Sequence, residues 1–284
     1  MADIQEAGLS DLQFTTIDGL RIRYAKSESR VGRPVILLSP WPESIYAFLP
    51  VWDTLAELSP LLAIDLPGFG GSEGRPDIIA PEPMGEFVIK ALRHFGIERP
   101  HALGPDVGTP ALLFAEANHP SSFQSLIVGG GATNHRELGG ALKQMVEAPS
   151  IEPFRNINLE DFVRGSTGDF RKAVPPEYVL QDYIASYSDG RLLESMRFVR
   201  DYPRALPRLN QQLSKVKAPV QIIAGRYDPF VPPSNAEGLH RDLPNSKLDI
   251  LECGHFAWED EAERYGKIAS EFITGRYARP SQAA

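Results

Sequence analysis

Apolar residues in this chain gather into short continuous runs separated by stretches of helical spacing. The runs are residues 34–38, 61–65, 101–103, 123–128, 219–224 and 247–251. Runs of that length suit strands buried on both faces of a parallel sheet. Between them, residues 48–58, 83–95, 109–118 and 260–274 carry the patterns expected of helices. Ahead of the first run, residues 14–17 and 20–24 flank Asp18-Gly19, a dipeptide that predicts a tight hairpin, so the chain opens antiparallel. Alternation of strand and helix then predicts an α/β fold with a mostly parallel central sheet, flanking helices and right-handed crossovers.

That rhythm breaks after Gly129-Gly130-Gly131 and resumes near residue 216. The intervening text reads as short amphipathic helices punctuated by Pro and Gly. We therefore expect a core domain made of residues 1–133 and 216–284, with an inserted helical cap at 134–215. The triple glycine is not a phosphate loop, because no Gly-Lys-Ser/Thr follows and the dinucleotide spacing is missing. No internal repeat appears, and the tail after Arg276 reads as dispensable.

Composition narrows the function classes. With 284 residues and 42% hydrophobic content, the chain can bury a sizeable core. A net charge of −8 and a pI near 5.3 give no electrostatic footprint for nucleic acid or an anionic membrane, so a small apolar organic substrate is the expected partner. Homodimer formation is compatible with the sequence. The single Cys253 excludes an internal disulfide, and Cys/His groups at metal-ligand spacing are missing, so neither metal nor cofactor is expected. Residues 1–10 carry no apolar segment, and nowhere do eighteen apolar residues run together. A cytoplasmic location is the expectation.

Chemistry concentrates at the carboxyl ends of the expected strands, where ligands bind in open α/β sheets. One end is Leu103-Gly104-Pro105-Asp106-Val107-Gly108-Thr109, which has the form of a nucleophile elbow, Gly-x-nucleophile-x-Gly, with Asp106 at its apex. An Asp entering a helix is also a good N-cap, and that simpler role stays open. Asp228 follows a later strand in Gly225-Arg226-Tyr227-Asp228-Pro229, where it could equally form a turn. His255 follows the last strand in Cys253-Gly254-His255-Phe256, and Ser39-Pro40-Trp41-Pro42-Glu43-Ser44 follows the strand at 34–38. An order of nucleophile, acid and histidine at three strand ends is hard to assign to packing alone.

With these residues the chain, from about 14 to 274, resembles the α/β-hydrolase superfamily. Asp106 at the elbow, Trp41-Pro42-Glu43-Ser44 and Asp65-Leu66-Pro67-Gly68-Phe69-Gly70-Gly71-Ser72 resemble its epoxide hydrolase and dehalogenase branch. That branch usually reads His-Gly-x-Pro where this chain has Ser39-Pro40-Trp41-Pro42. The resemblance implies a cis Trp41-Pro42 bond. It also implies an oxyanion hole made by the N–H groups of Trp41 and Val107.

A carboxylate nucleophile is already anionic near neutral pH, so His255 would act in a second step. Asp106 would form an alkyl ester with the substrate. Water activated by His255 would then hydrolyse that ester, with Asp228 orienting the imidazole. The expected reaction is epoxide to diol. Haloalkane dehalogenases usually carry Trp after the nucleophile, where this chain has Val107, and the arginines of fluoroacetate dehalogenase-like enzymes are missing from Val107-Gly108-Thr109-Pro110.

Epoxide opening needs a proton donor for the alkoxide. In the cap, Arg200-Asp201-Tyr202-Pro203-Arg204 resembles the segment that carries a ring-opening tyrosine, making Tyr202 the first candidate. The other tyrosine of the pair is expected near Phe154, where none stands; Tyr183 and Tyr187 are the remaining candidates, with Tyr178 also in the cap. Each could instead pack cap onto core. A dehalogenase, an ester- or lactone-directed hydrolase, and a ligand-binding protein without turnover remain alternatives on the same fold. His135 and His240 read as solvated, Trp258 and Phe256 as packing, and Cys253 as a small buried apolar residue.

Overall fold

In the computed structural model, which describes residues 9, 11–27, 31–166 and 173–275, the chain opens with β1 (Gln13–Ile17) and β2 (Leu20–Lys26). Positive φ at Asp18 (52°) and Gly19 (79°) makes the turn between them, as the dipeptide predicts. There follow β3 (Val35–Leu38), α1 (Leu49–Ala56), β4 (Leu61–Ile64), α2 (Pro81–His94), β5 (His101–Pro105), α3 (Gly108–Asn118) and β6 (Ser125–Gly129). Five helices then run without a strand: α4 (Gly140–Glu147), α5 (Leu159–Ser166), α6 (Glu177–Ser186), α7 (Arg191–Arg200) and α8 (Tyr202–Asn210). The chain ends through β7 (Val220–Gly225), α9 (Pro233–Asp242), β8 (Ser246–Leu251), α10 (Ala257–Asp260) and α11 (Ala262–Ile273).

The strands form one 8-stranded sheet in the order β1-β2-β4-β3-β5-β6-β7-β8. Only the pairings of β2, with β1 and with β4, are antiparallel. Every residue of β3 is buried, and its alternate side chains enter two different cores. Ile36 and Leu38 join α2, α3 and α8 on one face, whereas Val35 and Leu37 join α1 and α11 on the other. Burial on both faces is why the strand reads as an unbroken apolar run. β8 differs: as the edge strand it is half-buried over most of its length, which is why Lys247 and Asp249 are tolerated there.

Because β3 and β5 to β8 run in parallel, their carboxyl ends share one edge of the sheet; the chain leaves β6 at that edge, passes through α4 to α8, and re-enters the sheet at the amino end of β7, on the opposite edge. Polar anchors fasten this helical segment. Arg23 on β2, itself buried, pairs with the buried Asp65 and donates two hydrogen bonds to Asp182 on α6, at 2.6 and 2.9 Å. Asp182 also accepts from the Ser44 hydroxyl at 2.6 Å. Arg191 at the start of α7 donates to the carbonyls of Gly70 and Ser72. The tail from Arg276, most of the first ten residues and residues 167–172 of the expected cap lie outside the described residues. None of the described helices is long and apolar enough to cross a membrane.

Candidate active site

Asp106 stands at the turn from β5 into α3 with φ of 50°, a left-handed conformation that costs a side-chain-bearing residue strain. Its backbone is over-determined there. The Asp106 N–H donates to the Gly129 carbonyl at 2.8 Å, and the Thr109 hydroxyl bridges Gly104 and Gly129. A Cβ at Gly104 would sit 2.6 Å from a terminal methyl of Leu112 and 3.1 Å from the Gly108 carbonyl oxygen, so a larger residue there would press on the first turns of α3; Gly108 has ordinary room. The N-cap alternative fails: Val107 occupies the cap position of α3 with no side-chain cap, and the Asp106 carboxylate turns away from the helix.

The Gly129-Gly130-Gly131 run, which the sequence marks only as something other than a phosphate loop, backs this turn. A Cβ at Gly131 would lie 2.3 Å from the Asp106 carbonyl oxygen, and one at Gly129 would overlap the Ile223 carbonyl at 1.7 Å. Glycines after a buried strand, in a chain with no phosphate motif, were the available signal for such close backbone approach.

Around Asp106 the strand ends converge. The Trp41 N–H donates to Asp106 Oδ2 at 2.7 Å, from a loop carrying a cis Trp41-Pro42 bond. His255 Nε2 lies 3.7 Å from Asp106 Oδ1, and His255 Nδ1 lies 2.7 Å from Asp228 Oδ2. The other Asp228 oxygen accepts from the N–H groups of Phe230 and Val231 at 2.8 and 2.9 Å. Turn former and histidine partner, weighed as alternatives from sequence, are therefore both true of Asp228. Among the described residues, the Trp41 N–H alone hydrogen-bonds the Asp106 carboxylate; that of Val107 does not in this state.

Electrostatics follow from this geometry. Burial would lower the His255 pKa, but the Asp228 and Asp106 carboxylates outweigh it and push the imidazole up to about 10. Rings of Phe256, Phe230 and Trp258 stand edge-on to it at 4.9, 5.4 and 5.8 Å. Trp258 packs as expected, its indole N–H donating to the buried Glu43. Phe256, expected only to pack, also lines the cavity.

That cavity has a volume of about 430 Å³ and opens over Asp106 and His255. Trp41, Phe230 and Phe256 wall it from the sheet side, and Leu142, Met145, Phe162 and Val199 from α4, α5 and α7. It is apolar, as small-molecule sites usually are. Among the described residues, no cationic side chain lines it apart from His255, and Asp161 is also part of the lining. The Trp41 indole N–H is drawn out of reach by the buried Ser195 hydroxyl, at 2.9 Å.

The three candidate tyrosines are all buried but differ in what their hydroxyls do. Tyr183 donates to Glu259 at 3.2 Å, in a separate apolar cluster with Val163, Val179 and Leu180. Tyr187 donates to the Glu43 carbonyl at 2.8 Å and accepts from the Gly70 N–H. Those two are not brought to the Asp106 carboxylate with a free hydroxyl. Tyr202 makes no hydrogen bond with a described residue, and its phenol is raised well above the ordinary value by burial and then by the nearby Asp106 charge. His240 is exposed as expected, whereas His135 is partly buried and lowered by that burial. Cys253 is buried, as expected.

Comparison with known proteins agrees with this architecture. The model of the alpha/beta hydrolase fold family matches residues 33–262. The uncharacterized hydrolase YugF of Bacillus subtilis is 24% identical over 271 residues, which cover 93% of this chain and 98% of the relative. A 2-hydroxy-6-oxononadienedioate/2-hydroxy-6-oxononatrienedioate hydrolase of Pseudomonas putida is 30% identical over 241 residues, covering 76% of this chain and 80% of that protein. Among solved structures, the epoxide hydrolase CorEH superposes with a TM-score of 0.79 at 19% identity, over 94% of this chain and 99% of its own, a likeness of fold.

Proposed function

The chain belongs to the alpha/beta hydrolase fold family, and we propose that within it this protein is an Asp-nucleophile hydrolase that opens small apolar epoxides to diols. The reading rests on one observation above the others: a carboxylate, Asp106, occupies the apex of the elbow with one oxygen held by the Trp41 N–H and the other facing His255. A carboxylate there needs no base to attack carbon, and the strain of its φ of 50° is what a positioning role explains.

In the first step Asp106 Oδ1 attacks an epoxide carbon, the ring C–O bond breaks, and the alkoxide takes a proton delivered through Tyr202. The proton is ultimately supplied by the His255 imidazolium. Once Asp106 is an uncharged ester, His255 has lost one of the two anions that raised it, so it becomes a base at neutral pH. It then takes a proton from water, which attacks the ester carbon. The oxyanion forms on Oδ2, where the Trp41 N–H already points and the Val107 N–H can join it. Collapse with proton return to the leaving oxygen releases the diol, and Asp106 re-ionises by giving its proton to His255. Residues 134–215 act as the cap that supplies Tyr202 and the distal wall of the cavity.

Two features favour an epoxide over other leaving groups. The indole of the cavity-lining Trp41, a ring N–H that could hold a halide, is committed to Ser195. Among the described residues, the lining offers no arginine or lysine for the carboxylates of a dioate substrate of the kind named for the Pseudomonas putida relative. A panel of aryl and alkyl epoxides, haloalkanes, esters and lactones assayed with the wild type and Asp106→Asn tests the reading. Diol formation lost in Asp106→Asn supports it. Halide release, or ester or lactone turnover without epoxide turnover, moves the substrate class, and no turnover of any of them points to a ligand-binding protein.

A further inference from the structure

A second concavity, of about 580 Å³, lies on the other side of α7 from the candidate active site. Helix α7 forms the partition: Val199 lines the apolar cavity, and Arg197 and Arg200 line the groove. Arg155 reaches the groove from the segment between α4 and α5, and Arg204 from α8. Against these four arginines the lining carries two carboxylates, Glu194 and Asp201, so the groove is cationic in a chain of net charge −8. Ile79 and Leu193 give it an apolar floor.

The four guanidinium groups are not equally occupied. Arg204 is paired with Asp201, and Arg155 with Glu152, each through two hydrogen bonds from a guanidinium that is itself exposed. Arg200 gives one N–H to the Met145 carbonyl at 2.8 Å. Arg197 is exposed and makes no hydrogen bond or ion pair with a described residue. Preference for cations in the last turn of a helix accounts for Arg197 and Arg200 individually. It does not account for Arg155 and Arg204 converging on them from two other segments.

We propose that this groove is a second ligand site, which binds a multivalent oxyanion through Arg197 and Arg200. Guanidinium forks match phosphate and carboxylate oxygens in pairs, and several of them around one concavity favour an anion with more than one charge. The Arg200 bond to Met145 ties the groove to the catalytic side, because Met145 lines the apolar cavity.

Titration calorimetry of the full chain with inorganic pyrophosphate and, separately, with citrate tests the proposal, at ionic strength held constant with sodium chloride. Saturable binding of one or both anions at one site per chain is expected, weakened about tenfold or more in Arg197→Ala. Arg241→Ala, a substitution at an exposed arginine elsewhere, should leave it unchanged. Preference for pyrophosphate would assign phosphate esters as the class, and preference for citrate polycarboxylates. No saturable heat with either anion overturns the proposal. So does undiminished binding in a folded Arg197→Ala protein, or abolition of the binding by Phe162→Arg, which fills the apolar cavity and leaves the groove untouched.

Discussion

His255 and Asp106 face each other across 3.7 Å, a charge contact longer than a hydrogen bond, while the far side of the same imidazole is held at 2.7 Å by Asp228. The ring thus lies between two carboxylates, only one of which the reaction would neutralise. In the proposed reaction, that asymmetry would let a single histidine be an acid before alkylation and a base after it.

Removing the base should separate the two steps. In His255→Gln the carboxylate can still attack carbon, with solvent replacing the imidazolium as the source of the alkoxide's proton, but nothing activates water against the ester. Intact-protein mass spectrometry after mixing with an epoxide substrate should show the substrate mass added to the chain. An inactive, folded and unmodified variant would count against the scheme.

The raised imidazole also makes stability depend on pH with a definite sign. Below about 6.5 the histidine is protonated in both folded and unfolded chains, and its contribution is fully present. Between there and about 10 only the folded form keeps the proton, so the contribution falls as pH rises. Denaturant unfolding of wild type and His255→Gln should show their difference shrinking across that window, by an amount on the order of a few kcal/mol. Asp106→Asn, which removes one of the two anions, should flatten the slope. A wild-type advantage that stays constant up to pH 10 would contradict the assignment.

Tyr202, whose hydroxyl makes no hydrogen bond with a described residue, is the general acid in the proposed reaction. Tyr202→Phe should slow adduct formation by about a hundredfold to ten-thousandfold in rapid-quench measurements. Tyr183→Phe and Tyr187→Phe, whose hydroxyls serve Glu259 and the Glu43 carbonyl, should instead lower stability by about 1 kcal/mol and leave that rate within a few fold. Equal rates in all three variants would argue that the leaving group is not an alkoxide.

The anchor of the helical segment should behave as a buried network. Arg23→Met leaves Asp65 buried without its cation and should cost about 3–5 kcal/mol. Asp182→Asn, at the more exposed end, should cost less. Chemical denaturation of both variants would reveal the order, and the reverse order would mean that Asp182 and not Asp65 is the principal partner.

Much of this was legible in the chain because it is local. Gly104 and Asp106 define the elbow within three positions, Asp18-Gly19 sets the hairpin, and two-sided burial writes strands such as β3 as continuous apolar runs. What stayed illegible joins residues far apart in sequence. Arg23 meets Asp182, Trp41 meets Ser195, and Glu43 meets Trp258 across separations of 159, 154 and 215 positions, and no local pattern encodes such pairs. The same distance hid which tyrosine hydroxyl makes no hydrogen bond with a described residue, since that depended on Tyr183 meeting Glu259 and Tyr187 meeting the Glu43 carbonyl. The triple glycine was visible but its purpose was not, because Asp106 and Ile223 approach it from other strands.

Isotope tracing through one turnover tests the covalent Asp106 mechanism most directly. With enzyme in excess over epoxide in ¹⁸O-labelled water, the account predicts that the first diol leaves unlabelled and that the label appears in the peptide containing Asp106. Labelled diol from that first turnover, with Asp106 unlabelled, would mean that water attacked the epoxide itself and would contradict the account.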